Sequence, residues 1–322
     1  MKREFEMPDD TLGQLTAALK SAPDIDPFPL KDMSAAVFTG CGDSLASALV
    51  AERRGYRSLS AGDIEWMGEL PRYAGTIAGI SLSGTSGAPI RALQRARKAG
   101  WKTVAITSSA TTPLGQAAEF QQLVPRLDVQ ERVPVAGHVM LALGVAAACG
   151  IDTEGAPSRL ARILESDGRA MVDEVMRQLP ATLPHAATVL SLPDTRSGAN
   201  FWTLKLIEGC GIAARDVPLE ESGHVDYFIG PQPHLVVEIL GRRGQDRFED
   251  LGRALGRNGM TRVRFDANSA VPGESDVDDL LREIVVAVIG ALVVDEASTM
   301  WGRPPFRGGA VNMDASHITI SY

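Results

Sequence analysis

Short apolar runs alternate with amphipathic stretches along the first half of the chain. The runs that predict strands occupy residues 35–39, 76–82, 102–108 and 123–125, the last as a short edge strand. The first two are followed by turns of small residues and then by helical patterns at 44–54 and 88–99. Strands that alternate with helices in short units predict a parallel sheet with right-handed crossovers.

The second half repeats this plan after a boundary rich in glycine and proline at 151–158. Predicted strands occupy 188–192, 234–240, 261–265 and 317–322, and predicted helices 160–178, 200–210, 247–258 and 277–297. A helix at 135–149 is apolar on nearly all faces and should be buried. We therefore expect an α/β protein of two tandem lobes, residues 1–152 and 153–322, each a doubly wound αβα sandwich with a parallel sheet flanked by helices.

Composition changes this picture little but argues against several classes of function. The 322 residues are 44% hydrophobic and 22% charged, which suffices for two ordinary cores. A formal charge of −8 argues against nucleic acid as a partner. The three cysteines are scattered and form no disulfide or zinc pattern, so neither a metal nor a cofactor is expected.

The ends and the apolar runs bear on location. The amino terminus is charged where a signal peptide would be apolar. The longest apolar run, residues 284–294, is too short to span a bilayer and is flanked by Glu283 and Asp295. This run therefore predicts a buried helix, and we expect a cytoplasmic protein without a membrane partner.

One turn carries more hydroxyl groups than a turn needs. The second predicted strand ends in Ser81-Leu-Ser83-Gly-Thr85-Ser86-Gly, and a helix follows. Neutral hydroxyl donors, glycines that let amides approach, and a helix amino terminus together suit a phosphate group. A capping turn that only satisfies its own amides is the alternative, since Ser and Thr are common N-caps. Four hydroxyls exceed what capping requires, so we expect all four to bind a phosphate.

Two motifs in this order resemble the sugar isomerase (SIS) family. Gly40-Cys-Gly-Asp43-Ser44 is followed by the Ser-x-Ser-Gly-x-Ser turn, as in the isomerase half of glucosamine-6-phosphate synthase and in stand-alone phosphosugar isomerases and deaminases. The resemblance covers nearly the whole chain. It implies that Ser44 and, after the third strand, Thr112 contact a small phosphosugar.

The carboxyl-terminal half resembles the same family. Residues 204–208, Leu-Lys-Leu-Ile-Glu, are similar to its Leu-Lys-x-x-Glu helix, and His224 follows Glu208 at the family's spacing. The resemblance implies that Lys205, Glu208 and His224 are catalytic. It also implies a homodimer with shared active sites, in which the histidine comes from the neighbouring subunit.

Two positions depart from the family pattern. Asp43 replaces a hydroxyl residue beside Ser44; a carboxylate there repels a phosphate but can bond a sugar hydroxyl or hold an amine. We therefore include Asp43 among the substrate-binding candidates. His317 stands where the family has a lysine near the chain end, and we include it among the catalytic candidates.

The chemistry also suits these residue types without the resemblance. Converting an aldose phosphate to a ketose phosphate requires a base that takes a proton from C2 and returns it to C1. Glu208, on a rigid helix, can be that base, and Lys205 on the same helical face can hold the carboxylate or the sugar oxygens. His224 can protonate the ring oxygen and open the sugar. Taken singly, a Lys-x-x-Glu pair is more often a surface salt bridge, and a lone loop histidine is usually solvated.

The expected activity is sugar-phosphate isomerisation, with three versions left open. Plain isomerisation, deamination of glucosamine 6-phosphate and cleavage of a sugar–amine conjugate (a deglycase) all use this proton shuttle. The competing class is a non-enzymatic sugar-phosphate sensor, which needs neither Glu208 nor His224. A Rossmann-type nucleotide enzyme fits poorly, because Gly40-x-Gly42 lacks the third glycine. The strand at 234–240 ends in Gly-Arg-Arg-Gly without serines, so one phosphate site per chain is expected.

Overall fold

The computed structural model describes residues 10–26, 28, 33, 35–230 and 232–303. These residues form two parallel sheets, one in each half of the chain. The strands of the first sheet are β1 (Ala36–Gly40), β2 (Arg57–Ser60), β3 (Thr76–Ile80), β4 (Lys102–Thr107) and β5 (Phe120–Leu123). Those of the second sheet are β6 (Ala186–Ser191), β7 (Ala213–Pro218), β8 (His234–Leu240) and β9 (Thr261–Asp266).

Helices connect and cover the strands. In the first half they are α1 (Thr11–Ser21), α2 (Asp43–Ala48, continued by a 3₁₀ turn Leu49–Arg54), α3 (Ala61–Trp66), α4 (Gly87–Lys98), α5 (Pro113–Ala117) and α6 (Ala136–Ala148). In the second half they are α7 (Ala156–Gln178), α8 (Arg196–Cys210), α9 (Leu219–Val225, followed by a 3₁₀ turn Asp226–Phe228), α10 (Gln245–Arg257), α11 (Ala267–Ala270) and α12 (Asp276–Met300).

Both sheets reverse their strand order at one point. The order is β2-β1-β3-β4-β5 in the first and β7-β6-β8-β9 in the second, so β1 and β3 correspond to β6 and β8. All pairs are parallel, with Phe38 opposite Ala78 in the first sheet and Thr188 opposite Val236 in the second. Ligands of open α/β sheets bind beyond the carboxyl ends of strands at such a reversal. The turns after these four strands are therefore where a site is expected.

The α/β architecture of two doubly wound lobes is confirmed, and the errors concern small elements. The edge strand lies at Phe120–Leu123 rather than at 123–125. The edge strands β2 and β7 and the short helices α3, α5, α9 and α11 were not predicted. The two strands are mostly exposed or half-buried, so they lack the continuous apolar run that marks an interior strand. Residues 317–322, predicted as a strand, lie outside the described residues.

The core explains which apolar runs became strands and which became helices. Every residue of β1, β3 and β8 is buried, as is typical of parallel strands covered on both faces. Helix α6 is buried on nearly all faces, and the apolar run 284–294 lies inside α12. Within the described ranges, no helix has both the length and the apolar character to cross a bilayer.

The two lobes are joined through α8 and α12. Gly198 of α8 lies so close to α12 that an added Cβ would stand 2.6 Å from the carbonyl oxygen of Glu283. The buried Glu283 carboxylate accepts the Ser197 amide at 2.8 Å and is paired with Arg53 of the first half. The Ser197 hydroxyl in turn donates to the carbonyl of Ala46 in α2 at 2.8 Å. Helix α8 is thereby fixed against α2 at the edge where β1 ends.

Candidate active site

The serine-rich turn follows β3 at the strand-order reversal. Its hydroxyls contact one another: Ser81 Oγ lies 3.2 Å from Ser86 Oγ and 3.5 Å from Ser83 Oγ, and Ser83 Oγ lies 2.9 Å from Thr85 Oγ1. The Gly84 amide also donates to Ser81 Oγ at 3.2 Å. Ser81 is buried, whereas Ser83 and Thr85 are exposed. The turn thus presents a connected group of hydroxyls to solvent.

The geometry of Ser86 argues against a turn that only caps its own helix. Ser86 occupies the N-cap position of α4, but its hydroxyl makes no capping hydrogen bond. It is directed to Ser81 instead. The first amides of α4 are therefore left without a side-chain acceptor from the N-cap, and the positive end of a helix dipole faces the same place. An anion with several oxygens can accept from both sets of donors.

Thr112 lies behind this turn rather than in it. Its hydroxyl donates to the carbonyl of Ser109 at 2.8 Å and accepts the amide of Gly115 at 3.1 Å, which caps α5. Gly84 has a positive φ of 65°, and a Cβ there would stand 2.3 Å from the Thr112 side chain. Thr112 therefore packs against the turn with its hydroxyl already bonded. Its predicted role in substrate binding stays a prediction.

The turn after β1 forms the other side of the reversal. Gly42, with a positive φ of 54°, lets the chain turn into α2, whose first residues are Asp43 and Ser44. The half-buried Ser44 hydroxyl makes no hydrogen bond within the described part of the chain. It is thus available for a ligand at this edge of the sheet.

Lys205 joins residues from the two halves of the chain. Its Nζ donates to Glu208 Oε2 at 2.6 Å and to Asp43 Oδ2 at 2.8 Å, although Asp43 is 162 positions away. The Lys205 side chain is only 1% exposed, whereas those of Glu208 and Asp43 are 36% and 34% exposed. A buried ammonium requires such partners. The lysine is inside and the two carboxylates reach outward beside the turn after β1.

Aromatic and imidazole groups support this cluster from below. The Lys205 ammonium lies 4.7 Å from the centre of the Phe201 ring, on which the ring of His138 stacks at 4.2 Å. Ser47 Oγ donates its one proton to the carbonyl oxygen of Asp43 at 2.9 Å. His138 Nδ1 lies 2.9 Å from Ser47 Oγ, so His138 is the donor of the hydrogen bond between these two side chains. Burial lowers the pKa of His138 to about 3, against the opposing effect of the Asp43 backbone. His138 is therefore a neutral support.

Glu131 is a further acidic residue at this edge, and sequence reasoning missed it. Its Oε1 accepts the amides of Val135 and Ala136 at 2.9 and 2.7 Å, at the start of α6. Burial raises the pKa of the Glu131 carboxyl, the two amides and Lys205 oppose this rise, and Asp43 adds to it. Glu131 thus belongs to the same electrostatic environment as Lys205. A glutamate just before an apolar helix, in the connection after an edge strand, was the available signal.

The remaining candidates are not joined to this cluster within the chain. His224 is exposed on α9 and forms no hydrogen bond or ion pair in the residues that the structure covers. Its charged neighbour Glu220 is bonded to Arg247 at 2.8 Å. His317 lies outside the described residues. The two histidines keep the roles that the family resemblance implies as predictions only.

A metal site and a ligand cavity away from the strand ends are the other possibilities. In the described ranges, no three His, Cys, Asp or Glu side chains are grouped so that they could hold a metal ion. A cavity of about 600 Å³ lies away from the strand ends, between the segment after α1 and the connection from α6 to α7. Four carboxylates line it (Asp24, Asp26, Asp152 and Glu154), so it is unsuited to a phosphate.

Fold and strand-end turns together define a two-lobe protein of the SIS fold. Glucosamine-6-phosphate deaminase from Thermotoga maritima superposes with a TM-score of 0.69 and 15% identity, over 94% of this chain and 96% of that one. Tagatose-6-phosphate ketose/aldose isomerase from Escherichia coli gives 0.64 and 16%, over 95% and 90%. The carboxyl-terminal domain of glucosamine-fructose-6-phosphate aminotransferase from Francisella tularensis gives 0.66 and 12%, over 92% and 95%.

Sequence comparison adds nothing to this structural likeness. No protein-family model matches the chain, and no curated protein matches it. At 12–16% identity the three structures show that the fold is shared. Activity must therefore be argued from the residues of this chain.

Proposed function

We propose that this protein is a phosphosugar isomerase-type enzyme that acts on an amino-hexose or hexose phosphate. The observation that carries the proposal is the Lys205 cluster. One buried lysine bonds both Asp43, in the turn beside the serine-rich turn, and Glu208, on a helix of the other half. A purely structural salt bridge does not need two half-exposed carboxylates at the strand-order reversal.

In this proposal the first half of the chain binds the phosphate, and the second half supplies the catalytic base. The phosphate accepts hydrogen bonds from the hydroxyls after β3 and from the amides that open α4. The sugar then extends across the reversal toward Ser44 and Asp43. This anchoring fixes C1 and C2 near Glu208, and positioning of this kind supplies a large part of the rate of an enzyme.

Glu208 acts as the base of the proton shuttle. Its carboxylate removes the proton from C2 and returns it to C1, while the hydroxyl proton of O2 passes to O1, which converts the aldose into the ketose. For a 2-amino sugar the same shuttle produces an imine at C2, and water hydrolyses that imine to the ketone and ammonia. Lys205 holds the Glu208 carboxylate in one orientation, since both ends of its hydrogen bond are fixed on α8.

The charge of the cluster favours an amine in the substrate. Asp43 and Glu208 both bond a single lysine, so the carboxylates of the cluster outnumber its cation. An ammonium group on the sugar is attracted to such a site, whereas a second anion is repelled. Deamination of glucosamine 6-phosphate to fructose 6-phosphate is therefore the first activity to test. Plain isomerisation and deglycation are the next.

The test is a product assay with a matched pair of variants. Purified protein is incubated with glucosamine 6-phosphate, and ammonia and fructose 6-phosphate are measured. Glu208→Gln should lower kcat by about 10²–10⁴-fold, the usual contribution of a general base. Glu174→Gln, which alters an exposed glutamate on α7, should leave kcat unchanged.

The products that are detected distinguish the possible activities from one another. Ketose formation from a panel of hexose phosphates without ammonia identifies a plain isomerase. Release of an amine only from a sugar–amine conjugate identifies a deglycase. Saturable binding of phosphosugars with no turnover of any of them leaves only a sensor, and the enzymatic proposal is then wrong.

We also propose a homodimer in which His224 completes the site of the partner subunit. The support is the surface around it: Val225, Tyr227 and Phe228 are 47%, 48% and 74% exposed. Apolar side chains grouped in this way are typical of protein interfaces. In the proposed reaction His224 protonates the ring oxygen when the cyclic sugar opens.

Mixing two inactive variants tests this arrangement. A heterodimer of Glu208→Gln and His224→Ala subunits has one site with both defects and one with neither. Activity should therefore return to about half of the wild-type value per heterodimer if His224 acts in trans. If each chain uses its own histidine, both sites stay defective and no activity returns.

A further inference from the structure

One cation lies over the serine-rich turn, in a connection that neither the sequence motifs nor the proposed function assigns. Arg126 follows β5 in the segment that leads to α6. Its Nε donates to Ser108 Oγ at 3.0 Å, and its Nη2 donates to the carbonyl of Leu82 at 3.4 Å. Leu82 lies between Ser81 and Ser83, so the guanidinium stands against the backbone of the turn itself.

The hydrogen bonds of Arg126 leave its charge unneutralised. Both of its acceptors are neutral, and one of the two bonds is long. Within the described residues no carboxylate lies within 4 Å of its guanidinium, and the side chain is exposed. Many other arginines of the chain are paired with acids, including Arg53, Arg91 and Arg242.

Along this edge of the sheet the acidic side chains lie at one end and Arg126 lies at the other. At the far end Lys205 is bonded by two carboxylates, those of Asp43 and Glu208. The serine-rich turn carries no formal charge. Among the described side chains of this site, Arg126 is thus the cation that forms no ion pair with a carboxylate.

We infer that Arg126 binds the phosphate of the substrate and selects for its dianionic form. This inference rests on the proposed phosphate site at the serine-rich turn and adds a charge requirement to it. Neutral hydroxyls and amides gain less from the second negative charge of a phosphate than a guanidinium does, because the guanidinium carries a full positive charge and bonds two oxygens at once. The chain segment between β5 and α6 would therefore add to the preference of the serine-rich turn for a phosphosugar over the free sugar.

The first experiment measures binding of inorganic phosphate by calorimetry. Arg126→Gln should weaken it by at least tenfold, and Arg126→Lys should recover part of the loss. Arg57→Gln is the matched control, because Arg57 is an exposed arginine of the same sheet at the opposite, amino-terminal edge of β2. It removes the same charge and should change the affinity by less than twofold.

The second experiment tests the charge requirement with glucosamine 6-phosphate. Below about pH 6 a phosphomonoester takes up its second proton. Wild-type affinity should fall as the pH falls through this region, and the affinity of Arg126→Gln should be weaker and change less with pH. Glucosamine without phosphate should bind the two proteins equally.

A Ser86→Ala variant separates this inference from the proposed function. If Ser86→Ala loses phosphate affinity while Arg126→Gln binds as the wild type does, the inference about Arg126 is wrong and the phosphate site stands. If neither variant loses affinity, both are wrong. If Arg126→Gln weakens binding of free glucosamine as much as that of its phosphate, Arg126 only supports the turn, and the inference is likewise overturned.

Discussion

The two lobes share a strand order but differ in what their strand-end turns contain. In the second lobe Asp194 follows β6, and its Oδ2 accepts the amide of Arg242 at 2.8 Å in the turn after β8. Gly241 makes room for it, since a Cβ there would stand 2.3 Å from the same oxygen. In the first lobe the corresponding turn after β3 bonds to its own hydroxyls, and its Leu82 carbonyl accepts from the side chains of Arg126 and Thr107.

The difference shows how one architecture can make a site in one lobe and a closed surface in the other. In the second lobe a carboxylate of the chain occupies the place that a bound anion takes in a site of this kind. The turn is satisfied without a ligand. In the first lobe no acidic side chain is bonded to the serine-rich turn among the described residues, and its donors face outward. One phosphate site per chain stays a prediction.

The largest effect is expected from removing the Asp194 carboxylate, which is bonded to the turn after β8. Asp194→Ala removes the charged acceptor of the Arg242 amide, a bond that is exposed to solvent, so the free energy of unfolding should fall by about 2 kcal/mol. Denaturation by urea measures this loss. Asp194→Asn keeps an oxygen for the amide and should lose about half as much. Equal stability of all three proteins would show that the second turn does not depend on its carboxylate.

The next largest effect is expected in the serine-rich turn after β3. Ser81→Ala combined with Ser86→Ala should raise the dissociation constant of inorganic phosphate at least tenfold, which is about 1.4 kcal/mol. Stability without ligand should fall by only about 1 kcal/mol, because the Gly84 amide loses the Ser81 hydroxyl but keeps the Ser81 carbonyl as an acceptor. Thermal melts with and without phosphate measure both quantities. Ser21→Ala, at the end of α1, is the control, and unchanged phosphate binding in the double variant would contradict the contrast between the lobes.

The smallest effect comes from the buried imidazole that supports the turn after β1. The pKa of His138 is lowered to about 3 in the folded chain, so between about pH 3 and 6.5 the unfolded chain binds the additional proton. Stability therefore falls as the pH falls through this range, by about 0.8 kcal/mol between pH 7.5 and 6. His138→Asn keeps a donor for Ser47 and should lose this component of the pH dependence.

The matched control is His185→Asn, since His185 is exposed at the start of the second sheet. The measurement is the difference between the pH profiles of each variant and the wild type in urea denaturation. Such a difference isolates one group from the other titrating residues. Equal profiles for wild type and His138→Asn would mean that the imidazole is not held neutral.

The sequence alone determined the elements that are buried on both faces. Interior strands such as β3 and β8 and the apolar helices α6 and α12 were predicted within a few residues, because a fully buried segment requires a continuous apolar run. It also determined the serine-rich turn at the end of β3. The spacing that places Lys205 and Glu208 on one helical face could be read in the same way.

Tertiary structure alone decided which of these residues meet. The bonds from Lys205 to Asp43 and from Asp194 to Arg242 join residues far apart in sequence, and so does the contact of Arg126 with Leu82. Local patterns encode burial and turn conformation, because these depend on near neighbours along the chain. Contacts between strand-end turns depend on strand order and on how α8 docks against α2, and no periodicity in the sequence specifies that docking.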